Sequence, residues 1–405
     1  MQLTEKHLIK RSHKHFKEID KEAFLSKNLF NSVVYICRLA FFAGKPIPKF
    51  NDLYHQLKQG EDYKALPSKV AQLVIKQVDK CFKSYLAAVR SYAEDKSKFL
   101  GLPKLPGYKH KTKGRNVLHY NYQAFSKTWL KKGFINPSRL NFKTKTSHRC
   151  LDEVRIIPRG NCYVLEAIYT REEPEQLSQN NKIAGIDIGL NNLATVASND
   201  PNFQPFIVCG KALKASNQQY NKVKAFLQSQ LPKNQYTSRK IEALTQKRNS
   251  KVDYYLHTAS RFIINQLLER GVTHLIIGKN EGWKQKIAIG KKNNQSFTFV
   301  PHARFIQQLE YKAKLVGIRV TLTEESYTSK CSFLDLEEIK KQERYLGKRS
   351  KRGLFKSASG KFYNADLNGA LNIIRKVVGD SAFSGKLIER LVVSPVRFKP
   401  YKALS

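Results

Sequence analysis

The chain has 405 residues and a formal net charge of +41, with 73 lysines and arginines against 32 aspartates and glutamates. Hydrophobic residues make up 41% of the chain, which excludes an intrinsically disordered protein and leaves room for about two to four domains. Because the positive charge is spread along the chain, it predicts a partner with a phosphate backbone, without separating a nuclease from a protein that only binds nucleic acid.

The first part of the chain is predicted to be helical. From about Phe16 to Tyr92, apolar residues recur at helical spacing. The segment 101–113 contains glycines and prolines that interrupt a helix, and its lysines suit contacts to a phosphate backbone. From Val117 to Tyr169 the pattern changes to short strands, which predicts a small β-barrel or sheet module. The polar segment 171–181 then marks a candidate domain boundary.

The second half of the chain alternates predicted strands and helices. Its predicted strands are 183–188, 193–197, 206–209, 273–277 and 318–322, and its predicted helices are 211–231, 237–270, 301–316 and one that begins near Asp366. Three antiparallel strands, followed by helices that alternate with two more strands, is the order of an RNase H-like α/β domain.

Three acidic residues stand at the ends of these elements. Asp187 lies in Gly-Ile-Asp-Ile-Gly, Glu281 in Lys-Asn-Glu-Gly-Trp and Asp366 in Asn-Ala-Asp-Leu-Asn-Gly-Ala-Leu-Asn-Ile. In an RNase H-like sheet these places are neighbours, and cleavage of a phosphodiester by two divalent ions needs carboxylates that hold the ions roughly 4 Å apart. Asp366 alternatively serves as a helix N-cap and Glu281 as a loop carboxylate, whereas a lone buried charge at Asp187 is costly without a cation.

These three motifs, in this order, resemble the RuvC motifs of TnpB, a family of transposon-encoded RNA-guided nucleases related to type V CRISPR effectors. The resemblance covers the whole chain. It implies that Asp187, Glu281 and Asp366 are catalytic and bind two Mg²⁺ ions, with Mn²⁺ as an alternative ion. It also implies one protein per guide RNA, the RNA coming from the transposon end, and a double-stranded DNA target that is cut beside a short flanking motif.

The fold class implied is α/β: an RNase H-like RuvC domain, an α-helical recognition lobe and a small β-barrel wedge module. The implied domains are a wedge strand at 1–15, a helical recognition domain at 16–112, a wedge β module at 113–180, RuvC segments at 181–325 and 363–380, an insertion that binds target nucleic acid at 326–362, and a basic C-terminal tail at 381–405.

The insertion departs from the family, in which two Cys-x-x-Cys pairs hold zinc. Here the four positions read Cys331, Leu334, Lys356 and Ser359, and one thiol cannot complete a site of four nitrogen or sulfur ligands. We therefore predict no zinc and expect the insertion to be held by packing of apolar side chains, namely Phe333, Leu334, Leu354, Phe355 and Phe362. The six cysteines include no Cys-x-x-Cys pair, and no disulfide framework is expected.

Two basic clusters are candidates for nucleic-acid contacts, although each residue alone is more often a solvent-facing charge. The first lies on the long helix between the first two motifs and contains Arg239, Lys240, Lys247, Arg248 and Lys251. The second lies in the insertion and contains Lys348, Arg349, Lys351 and Arg352, with further basic residues before it.

The sequence also predicts where the protein acts. No apolar run approaches the roughly 20 residues of a membrane span, and the start of the chain lacks a signal-peptide core, so we expect a cytoplasmic prokaryotic protein that acts at the nucleoid, with no membrane partner.

Two alternatives to guided cleavage stay open. One is an RNA-guided repressor that binds DNA without cutting it, and the other is a guide-independent RNase H-like nuclease or transposase.

Overall fold

The chain is built from mixed helices and strands, as predicted. The structure, a computed structural model, describes residues 1–280, 290, 299–383 and 388–400. Between Glu172 and Glu173 the chain divides into two compact units, at a point inside the polar segment 171–181. None of the helices in the described ranges is long and apolar enough to cross a membrane. The six cysteines are free thiols.

The first unit combines a group of helices with an antiparallel sheet. Its helices are α1 (Phe16–Phe42), α2 (Phe50–Leu57), α3 (Glu61–Lys64), α4 (Ser68–Glu94) and α5 (Lys127–Lys131). Its strands are β1 (Gln2–Lys10), β2 (Leu118–Asn121), β3 (Phe134–Ile135), β4 (Thr144–Lys145), β5 (Glu153–Arg159) and β6 (Cys162–Thr170). The long helical stretch predicted from about Phe16 to Tyr92 is confirmed. It consists of the long helices α1 and α4, with the short helices α2 and α3 between them.

The break predicted at 101–113 is confirmed, and hydrogen bonds attach this segment to α1. The Asn31 side chain donates to the Lys109 carbonyl and accepts from the Lys109 backbone N–H, both at 2.9 Å. Arg38 donates to the Pro106 carbonyl at 2.9 Å. Because helix and sheet hydrogen bonds are absent between 101 and 110, these side chains satisfy backbone groups that would otherwise depend on water.

The strands of the first unit form an open sheet rather than a barrel. The order is β1-β6-β5-β2, and β1 pairs with β6 from Gln2 opposite Thr170 to Lys10 opposite Cys162. In residues 1–172, all of which are described, β1 and β2 are unjoined edges, and β3 and β4 form a separate ribbon. Ile19 of α1 and Val70 of α4 lie in the same core as the sheet, so helices cover the face that a closed barrel would enclose.

The second unit contains the predicted α/β domain. Its strands are β7 (Ile183–Asp187), β8 (Asn192–Ser198), β9 (Phe206–Cys209), β10 (His274–Gly278), β11 (Arg319–Thr323), β12 (Lys348–Lys351), β13 (Leu354–Lys356), β14 (Phe362–Asn364) and β15 (Val396–Phe398). Its helices are α6 (Lys211–Ser229), α7 (Arg239–Glu269), α8 (His302–Lys314), α9 (Ala365–Val378) and α10 (Ile388–Leu391).

The central sheet of this unit contains the five predicted strands, with the first three antiparallel as predicted, and one further strand. The order is β11-β10-β7-β8-β9-β15. Strands β7, β8 and β9 are antiparallel, and β10 and β11 run parallel to β7. The segment predicted as a basic tail adds β15 parallel to β9, and Phe398 stacks on Phe262 with ring centroids 3.7 Å apart. Residues Val396–Phe398 therefore extend the sheet.

Helix α9, which carries the third motif, lies directly on β7. A Cβ at Gly185 would stand 2.7 Å from Ile374 Cγ1 and would collide with the Ala370 carbonyl oxygen. The absence of a side chain at Gly185 thus lets the backbones of strand and helix approach each other. Leu367, Leu371 and Ile374 of α9 are fully buried in the core on this side of the sheet. This close packing fixes α9 against the strand that carries Asp187.

The insertion is a small antiparallel sheet in the order β12-β13-β14, and apolar packing holds it only in part as predicted. Phe333 is fully buried with its ring centroid 5.1 Å from that of Phe383, and Phe355 packs against Tyr363 at 5.5 Å. Phe362 does not join this core, since 56% of it is exposed. It belongs to β14, where alternate side chains face opposite sides, and its neighbour Tyr363 takes the buried side.

Hydrogen bonds also hold the loop of the insertion in place. The Glu337 carboxylate accepts hydrogen bonds from the backbone N–H of Ser332 at 2.7 Å and of Leu346 at 2.9 Å. The Cys331 thiol donates to the Glu338 carbonyl at 3.4 Å, and burial raises its pKa. A thiol that is buried and protonated lacks the thiolate character of a metal ligand.

We therefore expect purified protein to contain no stoichiometric zinc, since Cys331 is one thiol where four ligands are needed and the Glu337 carboxylate holds the loop by accepting two hydrogen bonds. Elemental analysis of protein prepared without chelators measures this. One zinc per chain, lost together with folding of the insertion on chelation, would contradict the expectation.

Candidate active site at the carboxyl ends of the central strands

Asp187 is the last residue of β7, and the first turns of α9 pass over its carboxylate. A Cβ built at Gly369 would lie 2.8 Å from Asp187 Oδ2, so a side chain at Gly369 would displace this oxygen. The strand places Ala184 and Ile186 in the core, which leaves Asp187 half-buried at the edge of the sheet. Strand and helix together therefore hold an ionisable group where solvent access is restricted.

Asp366 lies in the first turn of α9, but it does not cap the helix. Asn364 is the N-cap, and its side-chain oxygen accepts from the backbone N–H groups of Asp366 and Leu367, both at 3.0 Å. The alternative that Asp366 serves as the cap is wrong. Its own carboxylate accepts from Asn192 Nδ2 at 2.6 Å and from Arg349 Nη2 at 3.2 Å.

Glu281, the third predicted residue, lies outside the described residues, and the structure brings another glutamate to the site. Glu325 follows β11 and lies against the end of β10, where a Cβ at Gly278 would stand 2.5 Å from its Cγ. Gly278 follows Ile277, the partner of Ile186, so Glu325 faces the strand ends beside Asp187.

Glu325 is held on one side only. Asn280 Nδ2 donates to its Oε2 at 3.2 Å, and its backbone N–H donates to Asn280 Oδ1 at 2.9 Å. Its Oε1 is buried with no hydrogen-bond partner among the described residues. An orphaned buried carboxylate oxygen is costly, and a cation or a proton relieves that cost. In the sequence, Glu325 is the second of two acids after the strand predicted at 318–322, and no local pattern distinguishes it from Glu324.

Burial and neighbouring negative charges raise the pKa values of two carboxyls in this site. Burial, followed by the negative charges of Glu325 and Asp366, raises the pKa of Asp187 well above its ordinary value, while Arg349 opposes the shift. Burial raises the pKa of Glu325 from its ordinary 4.5 to about 7. Carboxyls whose ionised forms are disfavoured in this way are typical of sites that bind cations or transfer protons.

The donors fit a hard divalent cation in chemistry, because Mg²⁺ prefers carboxylate oxygens. Within residues 1–280, 290, 299–383 and 388–400, however, no three His, Cys, Asp or Glu side chains are grouped closely enough to hold one ion. Asn192 and the Arg349 guanidinium contact the two Asp366 oxygens. A shared cation would therefore require Asp366 to exchange its contact with Arg349 for a metal ligand bond.

Most of the residues predicted to contact nucleic acid are exposed, but the Arg248 side chain makes its hydrogen bonds inside the protein. It donates to Asn217 Oδ1 at 2.8 Å and to the Phe299 carbonyl at 2.9 Å, so it joins α7 to α6. Burial lowers its pKa. Arg349 pairs with Asp366. The remaining predicted residues are exposed: Arg239, Lys240, Lys247, Lys251, Lys348, Lys351 and Arg352.

Two regions of the chain match known families. Residues 166–284 match OrfB_IS605, described as a probable transposase, and residues 302–373 match the Cas12f1-like TNB domain. A TnpB-like protein, ORF457 of the Acidianus two-tailed virus, is 26% identical over 234 residues, which cover 55% of this chain and 48% of the relative. The aligned region thus spans about half the length of that relative. These matches confirm the predicted resemblance to TnpB.

Two solved structures align with most of the chain at low sequence identity. A Cas12f1–sgRNA–target DNA complex has 16% identity and a TM-score of 0.39, covering 92% of this chain and 98% of that one. The mini-RNA-guided endonuclease CRISPR-Cas_phi3 has 10% identity and a TM-score of 0.48, covering 98% of this chain and 94% of that one.

Proposed function

We propose that this TnpB-like chain is an RNA-guided DNA endonuclease that depends on a divalent metal and cuts its target beside a short flanking motif. The observation that carries the proposal is that the charges of Glu325 and Asp366 both act on Asp187 and raise its pKa, in a chain with net charge +41. The negative charges of these carboxylates repel one another, and they would also repel a phosphodiester unless cations lie between them.

The three carboxylates would hold the metal, with Mg²⁺ as the expected ion and Mn²⁺ as an alternative. When bound, such an ion polarises a phosphoryl oxygen and lowers the pKa of a water molecule. Asn192 orients the Asp366 carboxylate, and Arg397 in turn donates to Asn192 Oδ1 at 3.1 Å. Arg349 supplies a positive charge beside Asp366, which suits the charge of a phosphodiester that enters the site. Glu281 remains a predicted ligand.

The remaining parts of the chain suit recognition of nucleic acid. We assign residues 16–112 to a helical recognition domain, and 1–15 with 113–180 to a wedge module built on the β1-β6-β5-β2 sheet. Residues 181–325 and 363–380 form the RuvC domain, and 326–362 the insertion that presents target DNA. The exposed basic residues of α7 would face the backbone of a guide–target heteroduplex, which is recognised by shape and charge.

The proposal is tested by expressing the protein together with its native flanking sequence. RNA that copurifies is sequenced, and the complex is challenged in Mg²⁺ with DNA that carries the matching target and a randomised flank. We expect cleavage that requires both the RNA match and a fixed flank. Guided binding without cutting would favour the repressor, and specific cutting after nuclease treatment of the protein would favour a guide-independent nuclease.

Mn²⁺ is expected to raise the thermal midpoint of unfolding, and the rise should be larger at pH 8 than at pH 6. In the folded protein Glu325 keeps its proton up to about pH 7, whereas the unfolded chain loses it near 4.5, so the metal-free fold loses stability as pH rises between these values. Below pH 7 the metal must displace that proton, which weakens binding on the order of tenfold by pH 6.

Differential scanning fluorimetry with and without Mn²⁺ measures this shift, and saturation at about 100 times the dissociation constant would stabilise the fold by about 2.7 kcal/mol. Glu325→Gln serves as the matched variant, because an amide cannot titrate. It should show a smaller rise with a weaker dependence on pH. Equal rises at both pH values in the unmodified protein would contradict the expectation.

A further inference from the structure

Beside the acidic site, the insertion contains an open cavity that shares only Arg349 with the proposed cleavage site. Its volume is about 410 Å³, and its walls include Lys330, Tyr345, Lys348, Arg349 and Phe355. Two aromatic rings and three cations thus surround one space. A cavity with an aromatic wall and a cationic rim suits a ligand that is flat, apolar on its faces and negatively charged at its ends.

The aromatic part of the cavity is built by close packing. Phe355 is buried, and a Cβ at Gly347 would lie 2.8 Å from its Cζ, so the absence of a side chain at Gly347 allows the backbone to rest on the ring. Tyr345 is half-buried and keeps part of its ring in solvent, with Lys330 Nζ 5.8 Å from the ring centroid. The cavity therefore has a fixed floor and one accessible aromatic side chain.

The cavity opens next to the carboxylates. The Arg349 side chain lines the cavity and also pairs with Asp366 at 3.2 Å. This one side chain therefore connects the cavity with the carboxylate site. Lys348 and Lys330 are exposed at the rim. A nucleic-acid strand whose backbone runs along these cations would pass Asp366 at the point where one of its bases reaches Tyr345.

We propose that this cavity holds an unpaired nucleobase of the DNA strand presented for cleavage, stacked on Tyr345 and flanked by phosphates on Lys348 and Arg349. The proposal rests on the proposed function and names a subsite of it. Stacking on an aromatic side chain tolerates every base, because each base has an aromatic face. The subsite would therefore hold the strand in register without adding sequence preference.

Binding to two single strands of equal length tests the proposal. One is oligothymidine, and the other carries the same phosphates with abasic sugars. The full-length protein is titrated with each in EDTA, so that neither metal nor cleavage enters the measurement. We expect the unmodified protein to prefer oligothymidine, and Tyr345→Ala to weaken its binding about tenfold while binding of the abasic strand is unchanged. Tyr345→Trp should keep the preference and also shows that the loop tolerates substitution.

Two control variants separate base contacts from other effects. Tyr236→Ala removes a ring that is 77% exposed outside the insertion, and it should leave both affinities unchanged. Lys348→Ala should weaken both strands alike and reduce the slope of log affinity against log salt by about one. An unchanged preference for oligothymidine in a folded Tyr345→Ala protein would overturn the subsite. Failure of guided cleavage in Mg²⁺ would instead count against the proposed function, because these titrations need no cleavage.

Discussion

Alanine in place of Asp187 is expected to reduce cleavage of guide-matched DNA at least about a thousandfold. The carboxylate ends the central strand and is crowded by Glu325 and Asp366, so its removal would deprive a divalent ion of a central ligand. A metal ion supplies several kcal/mol of transition-state stabilisation, and about 4 kcal/mol corresponds to about a thousandfold in rate. Single-turnover cleavage in saturating Mg²⁺ measures the loss.

Folding and DNA binding should survive the Asp187→Ala change. Burial and two like charges disfavour the ionised carboxylate, so alanine relieves repulsion, and the thermal midpoint in EDTA should not fall. Asp253→Asn is a suitable control, because it removes a carboxylate of the same unit from an exposed ion pair with Arg304, which contributes little. Cleavage by Asp187→Ala near the rate of Asp253→Asn would remove Asp187 from the mechanism.

The second large effect is expected at Glu325, where glutamine should lower the cleavage rate by about a hundredfold or more. Glutamine keeps the shape of the side chain and can still contact Asn280, but it removes the anionic oxygens that would bind a cation. The metal-free thermal midpoint should stay level or rise, because burial already disfavours the ionised form. Loss of rate without loss of stability would distinguish a metal ligand from a residue that supports the fold.

Glu281→Gln is the informative comparison, because the RuvC motif selects Glu281 and the structure selects Glu325. The two variants are assayed side by side in one RNA complex. Loss of cleavage in Glu325→Gln alone would identify Glu325 as the third carboxylate. Near-normal cleavage by Glu325→Gln, together with loss in Glu281→Gln, would restore the motif-based prediction and make Glu325 a buried residue without a catalytic part.

The sequence predicted the central sheet well, because its strands are short apolar runs whose order already limits the topology. Strand β9 spans Phe206–Cys209 as predicted, and the boundaries of the other four predicted strands differ by at most one residue. The sequence did not predict β15 at Val396–Phe398, since a three-residue strand has no periodicity of its own and forms through pairing with β9. Phe398 stacks on Phe262, a contact between residues far apart in the chain.

The sequence predicted those residues of the candidate site that stand at the end of a predicted strand or the start of a predicted helix. Asp187 and Asp366 were found because each stands at the end of a strand or the start of a helix. Glu325 was missed because the motif directed attention to the acid after β10, whereas burial against Gly278 is a tertiary contact that no local pattern reports. The same reason explains Arg248, which looked like a surface cation and instead donates to Asn217.

The structure of the insertion was predicted only in part. Leu334, Lys356 and Ser359 stand where the resemblance expects cysteines, but they do not predict which polar contacts hold the loop. The Glu337 carboxylate performs part of that task, with two backbone N–H donors. Hydrogen bonds to a buried carboxylate contribute more than neutral ones, about 1.5–3 kcal/mol each, and they need no cysteine.

Anomalous diffraction from crystals of the unmodified protein grown with Mn²⁺ would show where the metal binds. We predict manganese peaks within coordination distance of carboxylate oxygens of Asp187, Glu325 and Asp366, with Arg349 released from Asp366. Manganese bound elsewhere, while these three carboxylates remain without a cation in protein that cleaves its target, would contradict this prediction.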